Sequence, residues 1–471
     1  MIHYNRKILI LTYIFYISLS AGAIDIPFGS DLPYSHYSTW SEPLNTDQLI
    51  RLYLTSSGLQ ENNFSKYEKR IYQFLEKSES SVQSSQSDEE KSEALLLYMH
   101  NNLFKRYSLK QTRVDKIFDT GYYNCVSSAA LFIILNRYHN IFIEGVHAID
   151  HTFCVLPEDG DRDGIDIETT SEWGFDPGSR KEFQSNFTNR TGYVYVPQGN
   201  YNHRVRLNDK DMAGLILQNR IVELQGTNQH QEALTLAADR LLLTGSTQAL
   251  EDYFDAVQNA AALLNSKSDY IGAFQIVHKA FTGPYEFPLF LIKTQSQILF
   301  NASADLVNKN RLEEARQFLT DYSSFILTEE LATIESLIQQ RSLELKVREP
   351  FSEELIKEIE QSLDDGYITE VTARSLASFH YLLEAENYSN RGEHRKAFDF
   401  LMSAPPWVQQ DREFKRILTH VRNNTAIVFH NQVVQLINEG RTTEANTLLR
   451  EALRLLPGHT LLLQDEKKLS N

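Results

Sequence analysis

The sequence predicts an α+β domain followed by an all-α domain of helical repeats, and three observations carry this. An apolar helical stretch after Cys125 leads into short β-type runs, IFIEGV, HTFCVL and GIDIETT. Helix before strands is the order of an α+β domain with an antiparallel sheet. From about Asn208 onward the pattern is almost wholly helical, and helix–turn–helix signatures recur along it. At 471 residues the chain has room for two or three domains with their own cores.

The elements follow in chain order. Residues 1 to 23 pair a charged start, Arg6 and Lys7, with an apolar run from Ile8 to Leu19 and small residues Ala21-Gly22-Ala23. This predicts a cleaved secretory signal and an exported protein, periplasmic or secreted. The run is short for a membrane span and no later stretch is long enough, so no span is expected after cleavage. Residues 24 to 206 form the expected α+β domain. It opens with two helical patterns near Thr46–Ser56 and Ser65–Lys77. A Ser-rich polar run, residues 78 to 90, lacks apolar periodicity and is expected to be a flexible loop. A helix over Glu89–Lys105 then leads to the cysteine region, and GYVYVP at 192–197 reads as a last strand.

Residues 207 to 471 are the expected repeat domain. The segments NKNRLEEARQFL, NRGEHRKAFDFL and NEGRTTEANTLLREALRLLP align and place Ala315, Ala397 and Ala445 at one equivalent position. SDYIGAFQIVHKAF is a looser copy with Ala273, and GTNQHQEALTLAADRLL has the same character. A small residue after the turn allows close approach of neighbouring helices. This pattern, with Pro457 soon after the final helix, resembles the tetratricopeptide repeat, at longer and less regular intervals. That resemblance implies a protein or peptide partner.

The formal net charge is −16, and −18 once the two cations of the leader are removed. Nucleic-acid binding needs a cationic face and is not expected. Two cysteines in an apparently exported chain exclude a disulfide framework. Cys154 lies three positions from His151 in an apolar strand, which turns it to the opposite face and predicts burial as a small hydrophobe.

Chemistry concentrates around FDTGYYNCVSSAALFIIL, residues 118 to 135. A Gly-containing turn delivers Cys125 to a helix start, where unpaired N–H groups and the helix dipole favour a thiolate. Downstream stand His147 and His151, four apart on what reads as one strand and so on one face. Two acids follow, Asp166 and Glu168, two apart and so on one side. The order nucleophile, base, carboxylate suits acyl transfer through a thioester.

These residues resemble the transglutaminase-like superfamily, whose fold is papain-like. The likeness rests on Gly121 to Cys125, on His151-Thr152-Phe153 and on Glu168-Thr169-Thr170, and it covers residues 90 to 205. It implies Cys125 as nucleophile and His151 rather than His147 as base. Glu168 is the implied orienting acid, because Thr170 follows it at the family's spacing. Asp166 stays open, because Asp is the commoner residue in that role. The superfamily includes cross-linkers, amidases, peptidases and inactive members. A cysteine peptidase or amidase is therefore expected, with a non-catalytic scaffold using the helical repeats as the rival.

No cofactor is expected for this chemistry. EDGDRDGID places Asp159, Asp161 and Asp163 at the first, third and fifth positions of a calcium-type loop, with Gly164 at the sixth. The closing Glu is missing, since Thr170 stands there. A polar turn between strands is the first reading of this segment and a calcium site the second.

Overall fold

The computed structural model describes residues 26–148, 151–158, 164–179, 181–192, 194 and 204–470. The leader, the expected GYVYVP strand apart from Gly192 and Val194, and Asp159, Asp161 and Asp163 lie outside the described residues. The architecture is a mixed α/β region followed by a large all-α region. The chain forms two compact units, one ending at Leu291 and the other spanning Ile292–Asn471.

In the first unit, α1 (Tyr34–Ser38) and α2 (Thr46–Ser56) precede α3 (Phe64–Val82) and α4 (Asp88–Asn102). Asn45 caps α2 by a reciprocal pair of hydrogen bonds with Gln48. The Ser-rich run is a shorter loop than its composition suggests: residues 83–87 connect two helices that take up its ends. Helix α3 continues to Val82 because Tyr67, Ile71, Phe74, Leu75 and Ser78 make one buried face. The Ser78 hydroxyl is satisfied by Leu75 O and by His139 Nε2, at 2.5 and 2.7 Å. Ser87 then caps α4, whose first turn holds Asp88, Glu89 and Glu90, where negative charge suits the helix dipole.

Strand β1 (Arg106–Tyr107) pairs in parallel with β2 (Tyr122–Tyr123), with α5 (Val114–Thr120) between them. Helix α6 (Cys125–Tyr138) is almost wholly buried. After it come β3 (Glu144–Ala148), β4 (His151–Leu156), β5 (Ile165–Ile167), α7 (Lys181–Thr191) and β6 (Val205–Leu207). These four strands form an antiparallel sheet in the order β5-β4-β3-β6. Cys154 faces α6, where its Sγ lies 3.8 Å from Ala129 O. On the other face Val146, Ala148, Phe153 and Val155 cluster.

Helices α8 (Asp209–Gly226), α9 (His230–Thr244), α10 (Thr247–Ser266) and α11 (Tyr270–Ala280) complete this unit. Polar contacts tie α8 and α9 to earlier residues. Asp209 accepts from Leu44 N at 2.7 Å and from Arg137 at 3.2 Å. Arg220 donates to Ser56 O at 2.7 Å, and Asp239 accepts from Ser30 N at 2.8 Å.

The remaining helices are α12 (Leu289–Asn308), α13 (Leu312–Tyr322), α14 (Thr328–Lys346), α15 (Glu353–Asp364), α16 (Glu370–Asn390), α17 (His394–Met402), α18 (Arg412–Asn438), α19 (Thr442–Leu455) and α20 (Thr460–Ser470). One turn recurs at the five helix–turn–helix signatures. Asn228, Ser268, Asn310, Gly392 and Gly440 are left-handed, with φ of 60°, 62°, 61°, 77° and 75°. In each case the next residue's N–H returns to a carbonyl five residues back, as Gln229 N does to Leu224 O and Arg441 N to Leu436 O. Five positions beyond the left-handed residue stand Ala233, Ala273, Ala315, Ala397 and Ala445, all fully buried. Ala233 thus joins the four alanines legible in the sequence.

The connection from α14 to α15 breaks the pattern and explains the long interval between Ala315 and Ala397. It contains Pro350 and no left-handed residue among those described. His380 of α16 holds it instead, Nδ1 donating to Val347 O at 3.0 Å and Nε2 accepting from Ser352 N at 2.9 Å. Among the described residues no helix is long and apolar enough to cross a membrane.

Candidate functional site

Cys125 is the first residue of α6, and its placement is built by its neighbours. Asn124 caps the helix, its side chain accepting from Ser127 N at 2.9 Å while Ser127 Oγ accepts from Asn124 N at 3.0 Å. Just before it, Gly121 ends α5 at φ 76°. A Cβ there would lie 2.7 Å from Lys105 Cγ and 2.9 Å from Leu103 O, so this turn requires glycine.

His151 opens β4. Its Nε2 donates to Glu168 Oε2 at 2.5 Å. Cys125 lies close enough to bear on the charge of this ring. Burial opposes charge on this imidazole, but the Glu168 carboxylate and the Cys125 thiol outweigh it and raise its pKa to about 10. The ring packs edge-on against Phe187, centroids 5.6 Å apart. Cys125 is 7% exposed, His151 8% and Glu168 2%.

Glu168 is held at both ends. Its Oε1 accepts from Thr170 N at 3.1 Å and from Thr170 Oγ1 at 2.7 Å, leaving Oε2 for the imidazole. Its own N–H donates to Gly174 O at 2.8 Å. A Cβ on Gly174 would sit 1.9 Å from Glu168 O, so the close approach of these backbones requires glycine there. Thr169 is anchored through Ser128 Oγ at 2.8 Å and through its carbonyl, which accepts from His100 Nε2 at 3.1 Å. Burial drives the His100 pKa down to about 4, so it acts as a neutral donor.

Asp166 goes elsewhere. It forms a two-point ion pair with Arg204, one arm at 3.0 Å, and that guanidinium lies 5.1 Å over the Phe153 ring. The two acids therefore have different partners, His151 for Glu168 and Arg204 for Asp166.

The two histidines do not share a face. His147 and His151 lie on different strands, β3 and β4. Ala148 pairs with His151 and His147 with Thr152, so the chain reversal puts the two rings on opposite sides of the sheet. His147 Nδ1 is 3.5 Å from Thr152 Oγ1. Cys154 is a free, fully buried thiol, and burial pushes its pKa well up.

The calcium expectation is corrected. Among the described residues no group of three or more His, Cys, Asp or Glu could hold a metal ion. The three aspartates lie outside those residues, and the only described residues of the loop are Gly164 onward, with Glu168 and Thr170 engaged with each other and with His151.

Sequence reasoning overlooked His100, Gly174 and helix α7, which brings Phe187 to the imidazole. His100 carries a faint signal, a histidine on the apolar face of LLLYMHNN. Gly174 has none beyond lying shortly after the acid. No protein-family model, curated protein or solved structure matches the chain.

Proposed function

We propose that this chain is an exported cysteine enzyme, transglutaminase-like in its chemistry, acting on amide or peptide bonds as hydrolase or acyl transferase. Its tetratricopeptide-like helical region would bind a protein or peptide. One observation carries the reading: the His151 imidazole donates to the Glu168 carboxylate at 2.5 Å, and the charge on that ring is also influenced by Cys125 at the start of α6.

In this reaction the Cys125 proton passes to His151 and the sulfur attacks the carbonyl carbon. The imidazolium, stabilised by Glu168, returns the proton to the leaving nitrogen. The C–N bond breaks, an amine departs and a thioester remains. Water or a second amine then attacks the thioester, its proton again taken by His151, and the thiol is regenerated. The Cys125 N–H at the start of α6 is a natural donor to the oxyanion.

A second reading, a non-catalytic binding or scaffold protein, also draws on specific observations. The two-part architecture with its recurrent helical turn serves binding without any chemistry. The three site residues are also all less than 10% exposed. Turnover on a peptide library by wild type and by Cys125→Ala separates the two. The enzyme reading expects the variant to melt like wild type and to lose all amide-bond chemistry. Equal turnover by both sinks it.

A further inference from the structure

Beside Tyr123, two residues before Cys125, lies an open pocket of about 430 Å³ whose charge runs against that of the chain. Lys105, Arg106 and Arg190 line it, opposed by one carboxylate, Glu172. The whole sequence carries −16. Arg190 lies 3.9 Å from Glu172, too long for a firm hydrogen-bonded pair. Lys105 and Arg106 are exposed and take no ion pair among the described residues. His100, which also lines the pocket, is held neutral by burial and leaves this balance unchanged. One wall is the half-buried Phe104, backed by the buried Tyr123 ring stacked on it with centroids 3.9 Å apart, and it offers an apolar surface for methylene groups.

The pocket is joined to the Glu168–Thr170 segment through two successive carbonyls, and His100 Nε2 holds the first, Thr169 O, at 3.1 Å. Tyr123 Oη donates to Thr170 O at 3.3 Å, and Arg190 Nη1 donates to the same oxygen at 3.4 Å. Thr170 is the residue that grips Glu168. Tyr123 stands two residues before Cys125.

We infer that this pocket is a subsite for the carboxylate side chain of an acidic peptide, which is the substrate class of the Cys125 site. The inference rests on the amide-bond reading. Net positive charge around a wet, half-open space recognises a carboxylate, and the aromatic wall accepts the stem that carries it. A peptide, unlike a free anion, also carries an amide bond for the Cys125 thiol.

The test is equilibrium binding to full-length Cys125→Ala, which removes any dependence on turnover. The probes are two fluorescein-labelled peptides, Ala-Glu-Glu-Ala and Ala-Gln-Gln-Ala, read by anisotropy. The Glu peptide is expected to bind about tenfold tighter or more, a difference of one charge-assisted contact. Lys105→Glu with Arg106→Glu should erase that preference. Both residues are exposed, and circular dichroism checks the fold. Arg190 is left in place because it also holds Thr170. Equal binding of the two peptides overturns the inference, as does a preference that survives the charge reversal. Inorganic phosphate displacing the Glu peptide at matching affinity also overturns it, by making the pocket a general anion site. Failure of the enzyme reading shows separately, as an unreactive Cys125 in the wild-type chain.

Discussion

Around Cys125 the polar groups of Asn124, His151, Glu168 and Thr169 are each held by different partners, whereas in the helical region one turn is used again and again. Glu168 needs Thr170, Gly174 and His151 together. The five helical turns need only a residue that tolerates left-handed backbone and an alanine five positions later. The first arrangement is a network in which each member satisfies a buried neighbour, so removing one strands another. The second is modular, and a change at one turn is felt at that turn.

The largest test of this contrast falls on the two acids. Under the proposed reading, Glu168→Gln should cut turnover by about 100-fold or more, since the amide keeps the shape but loses the charge that stabilises the imidazolium. Asp166→Asn should leave chemistry closer to wild type and show its loss in stability, through Arg204. The reverse ranking would move the orienting role to Asp166. The same pair predicts a pH dependence. The His151 pKa is raised on folding to about 10, so its contribution to stability is complete below the unfolded value near 6.5 and declines as pH rises through about 10. Chemical denaturation across that window should show the decline in wild type and a flatter profile in Glu168→Gln.

Smaller effects are expected in the repeats. Ala397→Leu forces a larger side chain into a fully buried helix contact and should cost about 1–3 kcal/mol. Catalysis and thiol chemistry should be untouched. Loss of both would mean the repeats and the site melt as one cooperative body. Gly440 stands at φ 75° with open space where a Cβ would go. Gly440→Ala should therefore cost only the left-handed backbone penalty, about 1 kcal/mol. Gly440→Asn should cost less, because Asn228 and Asn310 already occupy the same position in other copies. Equal melting temperatures for the two variants would argue against a strain limited to the turn.

What was legible in the sequence follows the same division. The repeat turns could be read because their determinants are local: a turn residue and an alanine at fixed spacing. Cys125 at a helix start and Thr170 two after Glu168 were equally local. The placement of His147 was not, because the chain reverses between Ala148 and His151 and parity along one strand no longer applies. That Asp166 and Glu168 take different partners was not legible either, because Arg204 is remote in sequence. The Ser-rich segment misled because composition suggested disorder, while the buried face ending at Ser78 and the Ser87 cap extend α3 and start α4. His380 bracing a distant turn, and His100 bracing Thr169, are tertiary choices with no spacing rule behind them.

The central claim is that His151 and Glu168 make Cys125 a reactive thiol, and site-resolved alkylation tests it most directly. Native protein is treated with iodoacetamide near neutral pH and the two cysteines are quantified by mass spectrometry. Cys154, fully buried with its thiol pKa pushed up, serves as the internal control. Fast labelling of Cys125 is expected, with none of Cys154, and with loss of the fast phase in His151→Ala but not in His147→Ala. Labelling of Cys125 no faster than an ordinary free thiol, or unchanged by His151→Ala, would contradict it.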